Sequence, residues 1–136
     1  MSLDIGPQHC VVAGFSAVLL ARIVNWNAVP ITRGEIGAVD YSVFEIDEND
    51  PSVRLPVAGQ QSVALNSGEL DNAIFDSLQT GDVRWTVDEK GYNFRFQPDG
   101  STAALFPTAG SLYLAEFRFT PLSGQMFPAR WRVRAL

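Results

Sequence analysis

Toward its C-terminus the chain alternates apolar and polar side chains so regularly that little freedom of fold is left there. Tyr113, Ala115, Phe117 and Phe119 share one face of an extended run over 111–120, and Phe127, Ala129, Trp131 and Val133 share one face of the next over 127–133. Side chains of a strand point alternately to its two sides, so a period of two over this length is the pattern of strands with one face in a core. The opposite face of the second run carries Arg130, Arg132 and Arg134, about 7 Å apart along a strand, with Arg118 on the run before it.

The rest of the chain follows the same logic, with proline and glycine marking where each extended run stops. A strand is expected over 15–24. Another is expected over 36–46, with Val39, Tyr41 and Val43 on one side and Asp40, Ser42 and Phe44 on the other. The run 53–57 belongs at an edge or in a loop, because Pro56 has no N–H for a ladder, and 62–65 is a further short strand. Val83, Trp85 and Val87 alternate with charged and polar neighbours, then Glu89-Lys90-Gly91 turns the chain into Tyr92, Phe94 and Phe96, which predicts a hairpin with an aromatic inner face. Leu70, Ile74 and Leu78 stand at i, i+4 and i+8 with Ser67 available as a cap, which predicts one short helix near residues 69–78.

Seven or eight short strands without a helix of ten or more residues predict an all-β, mainly antiparallel two-sheet β-sandwich, with a small barrel as the other architecture. With 136 residues and no linker or repeat, 1–136 is expected to be one domain, and residues 1–9 a flexible lead-in. Four segments carry a resemblance. These are Phe75-Asp76-Ser77-Leu78-Gln79; Trp85-Thr86-Val87-Asp88 with Gly91-Tyr92-Asn93-Phe94; Phe106-Pro107-Thr108-Ala109-Gly110 with Tyr113; and Thr120-Pro121-Leu122-Ser123-Gly124-Gln125. Together they resemble small immunoglobulin-like β-sandwich proteins of bacterial prophage-like or virion-structure gene clusters. The resemblance implies an immunoglobulin-like arrangement and a structural or adhesive module.

Charge narrows the partners. Fifteen acidic side chains against ten basic ones, a net charge of −5, argue against a general nucleic-acid binder, whose phosphate affinity comes from clustered lysine and arginine. The most apolar stretch, 10–24, contains Ser16 and Arg22 and is too short to span a bilayer. A signal peptide needs a basic start, and only Asp4 precedes the apolar stretch, so the expected setting is the cytoplasm or a larger particle.

No constellation for catalysis stands out. His9 and Cys10 are adjacent, and neighbours on an extended chain point apart. Asp47-x-Asn49 opens like a calcium loop, but Pro51, Ser52 and Ala58 occupy positions that need a ligand, a glycine and a bidentate glutamate. Asp76, Asp82, Asp88, Glu89 and Glu116 offer many carboxylate pairs, none singled out.

The expectation is therefore a non-enzymatic structural or interaction module with no cofactor or metal. It would bind a protein partner or itself through sheet edges or end loops, with Arg118, Arg130, Arg132 and Arg134 as the candidate interaction face. The alternative is a carbohydrate-binding module with Trp26, Trp85 and Trp131 as the sugar platform. Trp131 also lies on the inner face of its run, where a core role competes with a platform.

Overall fold

The computed structural model describes residues 3–4, 9–11, 18–25, 27–50, 52–97 and 105–135, with only the backbone path at 3–4 and 9–11. Ten β segments are present among them. They are β1 (Leu3–Asp4), β2 (His9–Val11), β3 (Leu19–Ala21), β4 (Ile36–Ile46), β5 (Arg54–Pro56), β6 (Val63–Ala64), β7 (Ile74–Gln79), β8 (Tyr92–Phe96), β9 (Leu112–Pro121) and β10 (Phe127–Ala135). Setting aside the two-residue segments β1 and β6 leaves eight strands, five in one sheet and three in the other. The large sheet runs β1-β10-β9-β4-β5, with β2 also on β10 and β6 also on β4, and the small sheet runs β3-β8-β7. All pairings are antiparallel except those of β1 and β2 with β10. The molecule is an all-β two-sheet sandwich.

The alternation does what its chemistry requires. Val39, Tyr41 and Val43 of β4, Tyr113, Ala115, Phe117 and Phe119 of β9, and Phe127, Ala129, Trp131 and Val133 of β10 are all buried. Phe94 of the small sheet meets Phe117, Phe119 and Trp131 of the large one at ring centroid distances of 5.5, 5.2 and 5.7 Å. Aromatic pairs at such distances add to the area they bury, and they join the two layers here. Trp131 is fully buried and its indole Nε1–H donates to the Leu20 carbonyl at 3.1 Å, so its polar end is satisfied across the layers. As a sugar platform Trp131 is thus corrected: it is the largest side chain of the core.

Two further expectations are corrected. The helix, α1 (Ser67–Ala73), starts earlier and ends sooner than 69–78, and Ile74–Gln79 is strand β7. The cap is Asn66 and not Ser67: its Oδ1 accepts the Glu69 N–H at 2.8 Å while Glu69 Oε1 accepts the Asn66 N–H at 3.1 Å. A spacing of four suits a helix, but it is also two periods of a strand, so Leu70, Ile74 and Leu78 did not distinguish the two.

The second correction is the hairpin. Segment 80–91 contains no strand, and β8 pairs with β3 and β7 instead. The aspartates there offer the backbone better partners than a ladder: Asp82 Oδ1 accepts the Arg84 N–H at 2.9 Å, and Asp88 Oδ1 accepts those of Lys90 and Gly91 at 3.0 and 3.3 Å. Leu3–Asp4 and His9–Val11 lie along β10. No helix among the described residues is long and apolar enough to cross a membrane.

Candidate functional site

Strand direction brings three loops to one end of the sandwich. β3 ends at Ala21, across from Phe94, and β8 starts beside it at Tyr92. β7 ends at Gln79, opposite Tyr92, while β4 starts at Ile36, opposite the last residue of β9, Pro121. Segments 22–35, 80–91 and 122–126 therefore share that end, and the turn 47–53 between β4 and β5 lies at the other.

Each of the three loops is tied down by its own polar chemistry. In the first, Val24 bridges Pro30, the Asn25 N–H donates to the Val29 carbonyl at 2.8 Å, and Asn25 Oδ1 accepts the N–H groups of Asn27 and Val29. Asn93, fully buried, accepts the Ile23 N–H at 2.7 Å and donates its amide to the Ile23 and Ile31 carbonyls at 2.9 and 3.0 Å. One side-chain amide thus closes the neck of the loop onto β8. A 3-10 turn, Arg33–Glu35, ends the segment, and the Arg33 guanidinium donates to Asp71 at 2.8 Å.

In the second loop, Asp82 receives the Arg84 guanidinium and the Tyr92 hydroxyl, the latter at 2.7 Å. Asp88 receives the Arg22 guanidinium at 2.6 Å and the Trp85 indole N–H at 3.1 Å. These donors hold both carboxyl groups well below the usual carboxylate range, the Arg84 hydrogen bond leading for Asp82 and the Arg22 hydrogen bond for Asp88. Arg22 also donates to the Gly91 carbonyl, so the first loop grips the second. In the third loop, the Leu122 N–H donates to the Glu35 carbonyl at 2.9 Å.

These anchored loops expose large apolar side chains among their polar ones. Among the described residues seven large hydrophobic side chains are exposed, and five of them are Val29, Val83, Val87, Leu122 and Met126, all on these three loops. Val83 is 92% and Leu122 75% exposed. A groove of about 790 Å³ opens between the first and third loops, with Ile31, Phe127 and Leu122 on its apolar side and Asn25, Glu35 and Gln125 on its polar side. The guanidinium groups of Arg22, Arg33 and Arg84 each sit on an aspartate.

The arginine face expected from the sequence lies on the outside of the large sheet and is mostly neutralised there. Arg118 donates to Asp40 and Arg130 to Glu116, each at 2.7 Å, and Arg134 pairs with Glu48 and donates to the Gly110 carbonyl at 3.0 Å. Arg132 is the one member without an ion pair to a described residue. Of the other tryptophans, Trp85 is half-buried against Tyr92, with centroids 5.8 Å apart, and Trp26 lies outside the described residues. No group of three or more potential metal ligands occurs among the described residues.

Sequence reasoning missed the apolar loop end. The alternation of Val83 and Val87 predicts a strand, and the exposed residues of this end lie up to 97 positions apart (Val29 to Met126), so only strand register brings their loops to one end. Comparison with protein-family models, with curated proteins and with solved structures finds no match for this chain.

Proposed function

We propose that this protein is a non-enzymatic interaction module, a component of a larger assembly, that docks a protein partner on the loop end of an immunoglobulin-like sandwich. The observation that carries the proposal is the exposure of Val29, Val83, Val87, Leu122 and Met126 on three anchored loops that share one end of the sandwich. Single exposed apolar residues are ordinary on any surface, whereas a group at one end of a fold marks a contact site. Rigid loops suit the task, because a partner then loses little free energy to ordering them.

Two features support the immunoglobulin-like reading. The orders β10-β9-β4-β5 and β3-β8-β7 correspond to G-F-C-C′ and B-E-D of a variable-type domain. Tyr113, near the start of β9, accepts the Thr108 N–H on its hydroxyl at 2.8 Å, as the tyrosine corner of such domains does. Ala115, two residues on, stands where antibody domains carry a cysteine. In that frame the groove lies between the B–C and F–G segments, which form binding loops in variable domains. Topology alone assigns no function, so the proposal rests on the exposed apolar residues of the loop end.

The test pairs two variants. Val83→Ser with Leu122→Ser and Met126→Ser should keep the melting temperature and lose the partner captured from the native source by the unchanged protein. Arg130→Ala with Arg132→Ala and Arg134→Ala should keep that partner. Binding through apolar surface should also persist as salt is raised. An unchanged partner set with the serine variant, or loss with the arginine variant alone, overturns the assignment.

A further inference from the structure

The groove between the first and third loops is joined at its base by backbone. The Leu122 N–H donates to the Glu35 carbonyl at 2.9 Å, and Ile36 pairs with Pro121. Ile31, Ile36 and Phe127 line the groove and are buried in the core, so they form a fixed apolar floor. At about 790 Å³ the groove falls within the roughly 300–1,000 Å³ of sites that hold a ligand.

Two polar groups along it are fixed as well, each with capacity left over. Asn25 Oδ1 accepts the N–H groups of Asn27 and Val29 at 2.9 and 3.2 Å, which orients the amide and leaves its NH2 without an acceptor among the described residues. Glu35 Oε1 accepts the Thr32 N–H and hydroxyl, both at 3.3 Å, while Oε2 has no donor and the carboxylate no ion pair among the described residues. Glu35 is exposed and is the only charged residue among the described ones that line the groove. The adjacent Arg33 guanidinium is engaged by Asp71 and by the Ile36 carbonyl.

These groups set the chemistry of an occupant. Anions are repelled by Glu35 and by a chain whose net charge is −5. A sugar platform needs an open aromatic face, and the one aromatic residue among the described lining, Phe127, is buried with its ring stacked on Phe119. An extended peptide supplies all three complements: an apolar side chain for the floor, a backbone carbonyl for Asn25, and a lysine or arginine for Glu35. We infer that the groove takes an extended segment of the protein partner in which an apolar residue stands beside a lysine or arginine. The inference rests on the loop end being the docking surface and adds the chemistry that the partner presents there.

The test uses a displayed library of random heptapeptides, selected in parallel on the unchanged protein and on Glu35→Gln, which keeps the side-chain oxygen that Thr32 uses. Selection on the unchanged protein should enrich lysine or arginine beside an apolar residue at least about three-fold over the input, and selection on Glu35→Gln should not. The strongest peptide, made with a fluorescent label, then enters a double-substitution cycle read by anisotropy. Glu35→Gln, and replacement of the peptide's basic residue by methionine, should each raise Kd at least about five-fold, and the two together little more than either alone. The peptide replacement probes the charge without touching the protein's fold. No basic enrichment, enrichment that persists on Glu35→Gln, or two changes that simply multiply overturns the inference, since the attraction is then absent, general to an acidic protein, or located elsewhere. The serine variant of the loop end separates this inference from the reading beneath it. Loss of the native partner by that variant without basic enrichment on the unchanged protein ends the inference and leaves the loop end standing, whereas a partner retained by that variant removes both.

Discussion

Gly91 shows how much one residue carries at the loop end. It adopts φ +94°, and a Cβ there would stand 2.1 Å from the Gln79 carbonyl oxygen. That oxygen is backbone and cannot move aside, so Gly91→Ala should cost at least about 1–3 kcal/mol, measured by chemical denaturation. Trp131→Ala should cost about 3–5 kcal/mol, a large part of a stability typically about 5–15 kcal/mol. Trp131→Phe tests the polar half of the same residue, since it keeps an aromatic ring but leaves the Leu20 carbonyl without its donor, at about 1–3 kcal/mol. Asp82 and Asp88 make stability depend on acid. Both are held below the ordinary carboxylate value, so the folded state releases their protons more readily than the unfolded chain does. Their contribution is complete above about pH 5 and is lost as the pH falls through about 3.9 and below. Asp88→Asn should lower stability at pH 7 and flatten its decline between pH 5 and pH 2, as read from denaturation midpoints.

At the scale of elements, the arginine side of β10 and its apolar side should respond differently. Arg132→Ala should change stability by less than about 0.5 kcal/mol. Arg130→Ala should cost up to about 1 kcal/mol, because its partner Glu116 is shielded on a sheet face that it shares with Arg54. Elements were legible in the sequence where one face is buried and the other wet. The bounds expected for β4 are those observed, and β9 and β10 differ by one or two residues. Legibility failed where another interaction competes with the alternation. Asp82 and Asp88 draw the backbone of 80–91 into turns, and Leu70, Ile74 and Leu78 satisfy two periods at once. The arginines could be placed on one face, but their carboxylate partners Asp40 and Glu48 come from β4 and from the turn after it, which spacing along one strand does not reveal.

At the scale of the molecule, the two layers divide the work: the paired sheets make the core, and the loops at one end face outward. Simultaneous substitution of Val83, Leu122 and Met126 by serine should therefore leave the denaturation midpoint within experimental error, since each is at least half or nearly half exposed in the folded state. The central pair of the large sheet sets a different limit, one of time. β4 is complete at Ile46, yet the strand it lies against along its whole length, β9, begins at Leu112. At about 5–20 residues per second, a ribosome needs on the order of 3–13 s to make the intervening 65 residues. Until then one long edge of β4 has no mate, although the strands of the facing sheet, β3, β7 and β8, are already made. Such a nascent chain invites a chaperone, and slowing translation between residues 47 and 111 should raise the fraction that aggregates before release.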